Sequence, residues 1–145
     1  MNGTVITTSA EETRDLGEKL AQKIAPGTLV CLGGDLGAGK TTFAQGFLEG
    51  MGAGRPYVSP TYIIMKQHDL PTPTAQGVKC IYHVDAYRVE AKDLIHLGFA
   101  EWCADKEGIV ILEWPEHVAE LIPKDAQRIT FASKSENERE IKIEN

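Results

Sequence analysis

Cysteine and long apolar segments are both scarce in this sequence, and each scarcity excludes a class of protein. The 145 residues include 3 cysteines, an odd number without C-x-x-C or Cys/His zinc spacing, so we expect reduced thiols, with Cys31 and Cys80 inside apolar strands. No apolar run approaches the ~18 to 20 residues that span a bilayer, and the first residues lack the basic and apolar regions of a signal peptide. We therefore expect a cytoplasmic protein that does not associate with membranes.

Positive charge is in short supply as well. The chain has 15 Lys and Arg against 21 Asp and Glu, which gives a formal net charge of −6 at pH 7. A broad basic surface that holds nucleic acid by releasing counterions is therefore not expected, and neither is tight, sequence-independent binding of RNA or DNA. The length and the 42% apolar share are typical of one soluble globular domain, which we expect to cover residues 1–145.

Segments with strand and helix patterns alternate along the chain. Ser9 and Glu12 form an S-x-x-E capping box that opens a helix, and Pro26-Gly27 ends it. The apolar runs at 28–32 and 109–112 are typical of strands buried on both faces. The remaining predicted elements are strands at 4–7, 61–67, 78–84, 127–131 and 139–143, and helices at 40–50, at 91–105 with a break near Gly98, and from Pro115 to Pro123. This order predicts a three-layer α/β domain whose mixed sheet is parallel in the centre and antiparallel toward one side.

A complete P-loop pattern, G-x-x-x-x-G-K-[ST], runs from Gly34 to Thr41 between a predicted buried strand and a predicted helix. Its glycines let backbone N–H groups turn inward around an anion, and the helix directs the positive end of its dipole at the same place. The Lys40 side chain is then expected to reach the β and γ phosphates of a nucleotide, and the Thr41 hydroxyl to bind Mg²⁺. The other candidate nucleotide-binding residues of the loop are Asp35, Leu36, Gly37, Ala38 and Gly39. The motif predicts a P-loop NTPase-like fold.

Acidic residues follow two of the predicted apolar strands. Asp85 comes directly after IYHV, and Glu113 comes directly after IVIL. A P-loop needs a carboxylate on the metal side, and ligands in open α/β sheets lie at the carboxyl ends of the strands, so both acids are candidates to bind Mg²⁺ or its waters. We expect Lys40, Asp85 and Glu113 to be catalytic, and Thr41 with the two acids to hold the metal. His83 shares a strand face with Asp85 and either orients that carboxylate or is a core histidine.

Two absences narrow the class of P-loop protein. The chain has no N-K-x-D motif for reading guanine, which disfavours the common type of GTPase. Its 5 arginines do not form the arginine-rich lid with which small-molecule kinases surround a transferred phosphoryl group. An ATPase is therefore favoured, and a P-loop phosphotransferase that acts on a small metabolite stays as the alternative.

Further motifs accompany the P-loop in a fixed order. They are GDLGAGKTTF at 34–43, SPTY at 59–62, HVDAYR at 83–88, LGF at 97–99 and EWPE at 113–116. This combination extends over nearly the whole chain and resembles the TsaE (YjeE) family of small bacterial P-loop ATPases. The P-loop alone is shared by many ATPases, whereas the ordered set is much more specific.

The resemblance implies an ATPase that is required to form N6-threonylcarbamoyladenosine (t6A) at position 37 of tRNA. It implies ATP and Mg²⁺ as ligands, TsaB and TsaD as protein partners, and contact with tRNA only through their complex. By position, the family's phosphate and magnesium residues correspond to Lys40 and Thr41, and Thr42 continues that loop. The family's essential acids correspond to Asp85 and Glu113.

The resemblance also assigns residues outside the P-loop and the acids. Ser59 and Thr61 fall on the family's switch-like segment, and Trp114 falls on an aromatic residue beside the nucleotide. From the residues alone, Ser59-Pro60-Thr61 is either a turn into a strand or a switch through which Thr61 senses the γ phosphate. Arg88 either belongs with Tyr87 to a partner-facing edge or offsets phosphate charge.

Two groups of polar residues are predicted to have structural or solvated positions. The stretch SKSENERE at 133–140 is most simply a solvated turn. The histidines without metal spacing, which we expect at the surface, are His68, His96 and His117.

Overall fold

The computed structural model describes residues 2–35, 37–57, 60 and 62–144, so Leu36, Ser59 and Thr61 lie outside the described residues. The described strands form one seven-stranded sheet. They are β1 (Gly3–Thr7), β2 (Leu29–Gly34), β3 (Met65–Asp69), β4 (Cys80–Asp85), β5 (Gly108–Glu113), β6 (Gln127–Ser133) and β7 (Arg139–Glu144). The helices are α1 (Ala10–Ala21), α2 (Lys40–Gly50), α3 (Ala91–Leu97), α4 (Phe99–Ala104) and a 3-10 helix at Pro115–Leu121.

Parallel strands form the centre of the sheet. The order across the sheet is β1-β7-β6-β2-β5-β4-β3, and β6, β2, β5 and β4 are parallel. Antiparallel strands lie at both edges, with β3 beside β4 and with β7 and β1 beyond β6. The mixed, partly parallel sheet is confirmed, but the expectation of antiparallel strands toward one side only is wrong. Two direct connections, at 70–79 and 134–138, return the chain beside the strand it has just left, and such neighbours are antiparallel.

Helices cover both faces of the sheet, which confirms the three layers. Val30, Leu32 and Ile111 face the side covered by α1 and α2. Cys31 and Leu112 face the side covered by α3, α4 and the 3-10 helix. Successive side chains of a strand point to opposite faces. The continuous apolar runs of β2 and β5 therefore supply both cores at once.

Three elements differ from their predictions. The first helix, expected to end at Pro26-Gly27, ends at Ala21. The strand predicted at 61–67 begins only at Met65, because the N–H of Ile64 donates to the carbonyl oxygen of Pro60 at 2.7 Å and closes a turn. The helix predicted after Pro115 is of the 3-10 type and is kinked at Val118, where φ is −133°.

Other local expectations have mixed outcomes. The helix break is confirmed at Gly98, whose φ of +117° ends α3 and starts α4. His68 is buried, so its predicted surface position is wrong, because it lies on β3 in register with the core residue Ile81. His96 and His117 are exposed as predicted. Across the described ranges, no helix is long and apolar enough to cross a membrane.

Candidate functional site: the P-loop cavity

The P-loop joins the end of β2 to the start of α2. Gly34 has a φ of +115°, and a Cβ there would lie 2.1 Å from the carbonyl oxygen of Phe131, so this position accepts only glycine. Gly39 caps the N-terminus of α2 in the left-handed conformation, with a φ of +103°, and Lys40 is the first helical residue. The loop backbone and the helix N-terminus therefore converge on one point, as in an anion-binding nest.

Lys40 is a buried cation at this point, with 5% of its surface exposed. Its Nζ donates to the carbonyl oxygen of Gly34 at 2.7 Å and lies 3.4 Å from the centroid of the Trp114 ring. Burial lowers the pKa of Lys40 below its ordinary value, and the negative charges of Glu116 and Glu113, among others, partly oppose this effect. The ammonium group is therefore shielded from water while acidic residues stabilise its charged form.

Trp114 turns the chain directly after β5. Its φ of +61° and ψ of 50° lie in the left-handed region, which costs a non-glycine residue roughly 1–2 kcal/mol. Its N–H donates to the carbonyl oxygen of Leu32 at 3.3 Å. Its ring packs against Tyr87 and His117, with centroid distances of 5.0 and 5.4 Å. These contacts hold the indole beneath the ammonium group of Lys40. The strained backbone of Trp114 is therefore found at a residue whose side chain has a defined place in the site.

Asp85 and Glu113 end the neighbouring parallel strands β4 and β5, where they are direct register partners. They are 4% and 3% exposed. Oδ1 of Asp85 accepts a hydrogen bond from the N–H of Tyr87 at 2.9 Å, and the N–H of Ala86 donates to the carbonyl oxygen of Glu113 at 3.0 Å. The structure therefore brings the two acids together at the carboxyl edge of the sheet.

His83 contacts Glu113 rather than Asp85. It is buried, and its Nε2 lies 2.6 Å from Oε2 of Glu113. His83 is in register with Ile111, two residues before Glu113 on β5, so its ring reaches diagonally across to the next strand. The sequence left open whether His83 orients Asp85 or is a core histidine. The hydrogen bond that the structure shows for His83 goes to Glu113.

The P-loop and the acids line one cavity of about 330 Å³. Its lining contains eight sequence-predicted residues: Gly37, Gly39, Lys40, Thr41, Thr42, Asp85, Glu113 and Trp114. Of the other predicted loop residues, Ala38 is buried in the core and Asp35 is exposed, and neither lines the cavity. The lining residues that the sequence did not predict are Ser9, Ala10, Thr13, Glu136, Asn137 and Arg139.

These unpredicted residues come from the start of α1 and from the turn between β6 and β7. Arg139 organises that turn, since its Nη1 donates to the carbonyl oxygens of Ser135, Glu136 and Glu138 at 3.0, 3.2 and 3.0 Å. The expectation of a merely solvated turn at 133–140 is therefore wrong in part. The turn reaches the P-loop because β6 lies beside β2. No local sequence pattern predicts that these two strands are neighbours.

Glu116 reaches the start of the P-loop from the 3-10 helix. Its Oε2 accepts a hydrogen bond from the N–H of Gly34 at 3.0 Å. A Cβ on Gly33 would lie 3.4 Å from its Oε1, so the carboxylate packs closely on the end of β2. In the sequence this residue is part of EWPE, and its contact with the P-loop was not predicted.

The described part of the switch-like segment lies beside Asp85. The N–H of Asp85 donates to the carbonyl oxygen of Ile64 at 2.8 Å, and Ile64 has a φ of +71°. Tyr62 is 84% exposed, and the guanidinium carbon of Arg88 lies 4.9 Å from its ring centroid. Arg88 is absent from the described cavity lining. This favours a place on a surface edge over neutralisation of phosphate charge.

The donors of the cavity suit a magnesium ion. Two carboxylates and the hydroxyl-bearing Thr41 line the cavity. No three His, Cys, Asp or Glu side chains cluster as metal ligands in the part of the chain that the structure describes. Mg²⁺ commonly takes only one or two carboxylates and completes its shell with substrate phosphates and water. The oxygen donors present therefore fit Mg²⁺.

Comparisons with known proteins identify the family of this chain. The model of the family described as "Threonylcarbamoyl adenosine biosynthesis protein TsaE" matches residues 7–141. A relative from Bacillus subtilis, named tRNA threonylcarbamoyladenosine biosynthesis protein TsaE, is 37% identical over 135 residues, which cover 93% of this chain and 80% of the relative. A relative of the same name from Treponema pallidum is 30% identical over 139 residues, which cover 95% of this chain and 97% of the relative.

A solved structure supports the same relationship. The crystal structure of YdiB from Bacillus subtilis aligns with a TM-score of 0.73 at 32% identity, and the alignment covers 99% of this chain and 86% of that one. The family model extends from the strand before α1 to the last strand, so it includes the P-loop, both acids and Trp114. The resemblance drawn from the motifs is thereby confirmed, and the chain belongs to the TsaE family.

Proposed function

We propose that this chain binds Mg-ATP in the P-loop cavity and hydrolyses it. The observation that carries the proposal is that Lys40, Asp85 and Glu113 line one cavity at the start of α2. A helix N-terminus with a lysine is suited to phosphate. Two buried carboxylates beside it supply the metal and water side of a phosphoryl-transfer site.

Two groups of lining residues are assigned to different parts of the nucleotide. The backbone of the P-loop and the ammonium group of Lys40 receive the β and γ phosphates. A second wall, with Thr13, Asn137 and Arg139, is left for the ribose and base. Because this wall comes from α1 and from the turn after β6, nucleotide binding ties three separate parts of the chain together.

Thr41, Asp85 and Glu113 are the residues that would hold Mg²⁺ and its waters. When bound, the ion supplies positive charge that stabilises the phosphate oxygens during displacement. We place Glu113 nearest to the metal shell and Asp85 beside it. The chain's own contribution is to hold these oxygens at the carboxyl edge of the sheet and to place acidic residues near Lys40, where they partly oppose the lowering of its pKa by burial.

The process served by hydrolysis follows from the relatives, which are named for tRNA threonylcarbamoyladenosine biosynthesis. We place this chain in the same process in the cytoplasm, acting with TsaB and TsaD and meeting tRNA only through their complex. Of the described arginines nearest the site, Arg139 is bonded to turn carbonyls and Arg88 lies over Tyr62. Neither of these two arginines is therefore free to join Lys40 at the γ phosphate, and groups supplied or ordered by a partner add ~10³ to 10⁵ in rate in other NTPases.

Phosphate release from Mg-ATP, with and without TsaB and TsaD on unmodified tRNA, tests the proposal. We expect slow release by the chain alone, faster release in the complex, and t6A only when ATP is hydrolysed. Equal rates at saturating Mg-ATP, with complex formation checked by gel filtration, would show an ATPase that needs no partner. Absence of hydrolysis under both conditions would refute the proposal.

A phosphotransferase would need additional positive groups around its acceptor. The described lining of the cavity contains two basic side chains, Lys40 and Arg139, and no observation favours a second substrate. Incubation of the protein with Mg-ATP and a metabolite pool distinguishes the two reactions. An ATPase releases free phosphate, whereas a phosphotransferase yields a phosphorylated metabolite.

A further inference from the structure

The hydrogen bond between His83 and Glu113 lies just below the cavity, inside the protein. The Nε2–Oε2 distance is 2.6 Å, and the two side chains are 3% and 4% exposed. Glu113 lines the cavity, whereas His83 is absent from the described lining. His83 lies two residues before Asp85 on β4, on the core side of that edge of the sheet. It therefore reaches the cavity through Glu113.

The other nitrogen of this ring, Nδ1, is buried and lacks a partner among the described residues. A carboxylate accepts hydrogen bonds and cannot donate them, so a bond from this ring to a carboxylate requires a proton on Nε2. An unpaired buried nitrogen costs free energy that an apolar side chain at the same position would avoid. The bond to Glu113 is the interaction that offsets this cost.

We propose that His83 is a positioning residue that fixes the rotamer of Glu113. This inference rests on the proposed function, since it concerns the part that Glu113 plays toward Mg²⁺ or water. The bond engages Oε2, so Oε1 is the oxygen through which Glu113 would act on the cavity that it lines. Groups that orient a metal-binding carboxylate commonly contribute ~10- to 100-fold to affinity or activity, because the reacting atoms tolerate little displacement.

Substitutions of His83 separate positioning from packing. His83→Gln keeps an amide N–H near the place of Nε2, His83→Asn moves it to the place of Nδ1, and His83→Leu removes it. We expect His83→Leu and His83→Asn to lower kcat for Mg-ATP hydrolysis in the reconstituted complex by ~10-fold or more, with KM and ADP affinity changed by less than about twofold. We expect His83→Gln to recover most of the lost rate.

His68 provides the matched control. It is a second buried histidine with a ring nitrogen that has no partner among the described residues, and it lies on β3 in register with Ile81. His68→Leu removes a comparable ring from the same face of the sheet without touching the bond to Glu113. We expect kcat of this variant to stay within about twofold of wild type, even where its thermal unfolding temperature falls.

Two further measurements address the coupling directly. In a Glu113→Gln background, His83→Leu should lower kcat no further, because the carboxylate that the ring positions is already gone. Long-range ¹H–¹⁵N spectra of the chain without nucleotide should show the proton on Nε2 of His83. Glu113→Gln should shift that resonance, whereas a substitution of the exposed Glu120 to Gln should leave it in place.

The outcomes distinguish this inference from the proposed function. Equal losses of kcat in His83→Leu and His68→Leu would overturn positioning in favour of packing. If His83→Leu keeps the wild-type kcat while Glu113→Gln loses it, the positioning role of His83 is overturned and the proposed ATPase function stands. If His83→Leu does not fold, equal rates in His83→Gln and His83→Asn would have the same meaning. No hydrolysis by the wild-type complex would remove the proposed function and this inference together.

Discussion

The ammonium group of Lys40 lies on the face of the Trp114 indole, with Nζ 3.4 Å from the ring centroid. Trp114 follows β5 and Lys40 opens α2, so the contact joins two elements at the carboxyl edge of the sheet. A cation on an indole face gains roughly 0.5–2 kcal/mol, with the larger values at desolvated sites. Lys40 is therefore held at the cavity by its surroundings as well as by its own helix.

Removal of this ammonium group should weaken nucleotide binding more than folding. A hydrogen bond to a charged group contributes about 1.5–3 kcal/mol, so we expect Lys40→Ala to lower ATP affinity by roughly 10- to 100-fold. Calorimetry measures the affinity, and thermal unfolding checks the fold. Lys92→Ala is a suitable control because the Lys92 side chain is 81% exposed. Unchanged affinity in folded Lys40→Ala would contradict the assignment of the P-loop.

The two strand-end acids should affect hydrolysis more than binding. We expect Asp85→Asn and Glu113→Gln each to slow ATP hydrolysis by ~10²-fold or more, because they act on metal and water in the transition state. ADP affinity, measured by calorimetry, should stay within a few-fold of wild type. Asp125→Asn, a substitution of an exposed acid outside the cavity lining, serves as the control. An acid whose variant hydrolyses ATP at the wild-type rate in the complex has no part in the mechanism.

The turn between β6 and β7 should contribute to nucleotide affinity. Arg139→Ala removes three hydrogen bonds that hold the turn beside the cavity. We expect ATP affinity to fall by roughly 3- to 10-fold, in line with the loss of about 1 kcal/mol. Arg128→Ala is the comparison, because Arg128 lies on β6 outside the described lining of this cavity. Equal affinities in the two variants would exclude the turn from the binding site.

The bond between Tyr82 and Asp105 should make stability depend on pH. The Tyr82 hydroxyl donates to Oδ2 of Asp105 at 2.7 Å and lowers the pKa of that carboxyl below 3.8, its ordinary value. Since the folded pKa lies below the unfolded one, the contribution is fully present above the unfolded pKa and is lost as pH falls through the folded pKa. Tyr82→Phe should therefore lower the free energy of unfolding at pH 7 by about 1–2 kcal/mol and have little effect in strong acid.

Tyr57 offers the control for this pH dependence. Its hydroxyl donates to the carbonyl oxygen of Ala53 at 2.6 Å, an acceptor that does not titrate. Denaturant unfolding of Tyr57→Phe should show a stability loss that does not fade between neutral and acid pH. If the loss of unfolding free energy in Tyr82→Phe is also independent of pH, the Asp105 carboxylate is not the group through which Tyr82 stabilises the fold.

The chain alone should bind tRNA weakly. The formal net charge of −6 opposes the phosphate backbone. We expect a Kd weaker than about 1 µM at physiological salt, within the range of non-specific binding. Filter binding with the chain alone and with the TsaB and TsaD complex measures the difference. Sub-micromolar binding by the chain alone would mean that it has a nucleic-acid surface of its own.

The sequence by itself determined the parts of this protein whose chemistry is local. A P-loop binds phosphate through consecutive backbone groups and the first turn of one helix. The eight residues from Gly34 to Thr41 are therefore enough to predict a phosphate-binding loop. The acids at 85 and 113 were also predictable, because parallel strands place their carboxyl ends at one edge and each acid directly follows an apolar run. The ordered motifs were sufficient to identify the family, because together they cover nearly the whole chain.

Only the tertiary structure decided which distant residues meet. The pairing of His83 with Glu113 depends on the register of β4 against β5, and a change of two residues in that register would give His83 a different neighbour. The turn beside Arg139 reaches the cavity because β6 is placed next to β2. Strand order and register are set by the burial of apolar side chains on both faces of the whole sheet. That free energy is collective, so no short segment of the sequence reveals these contacts.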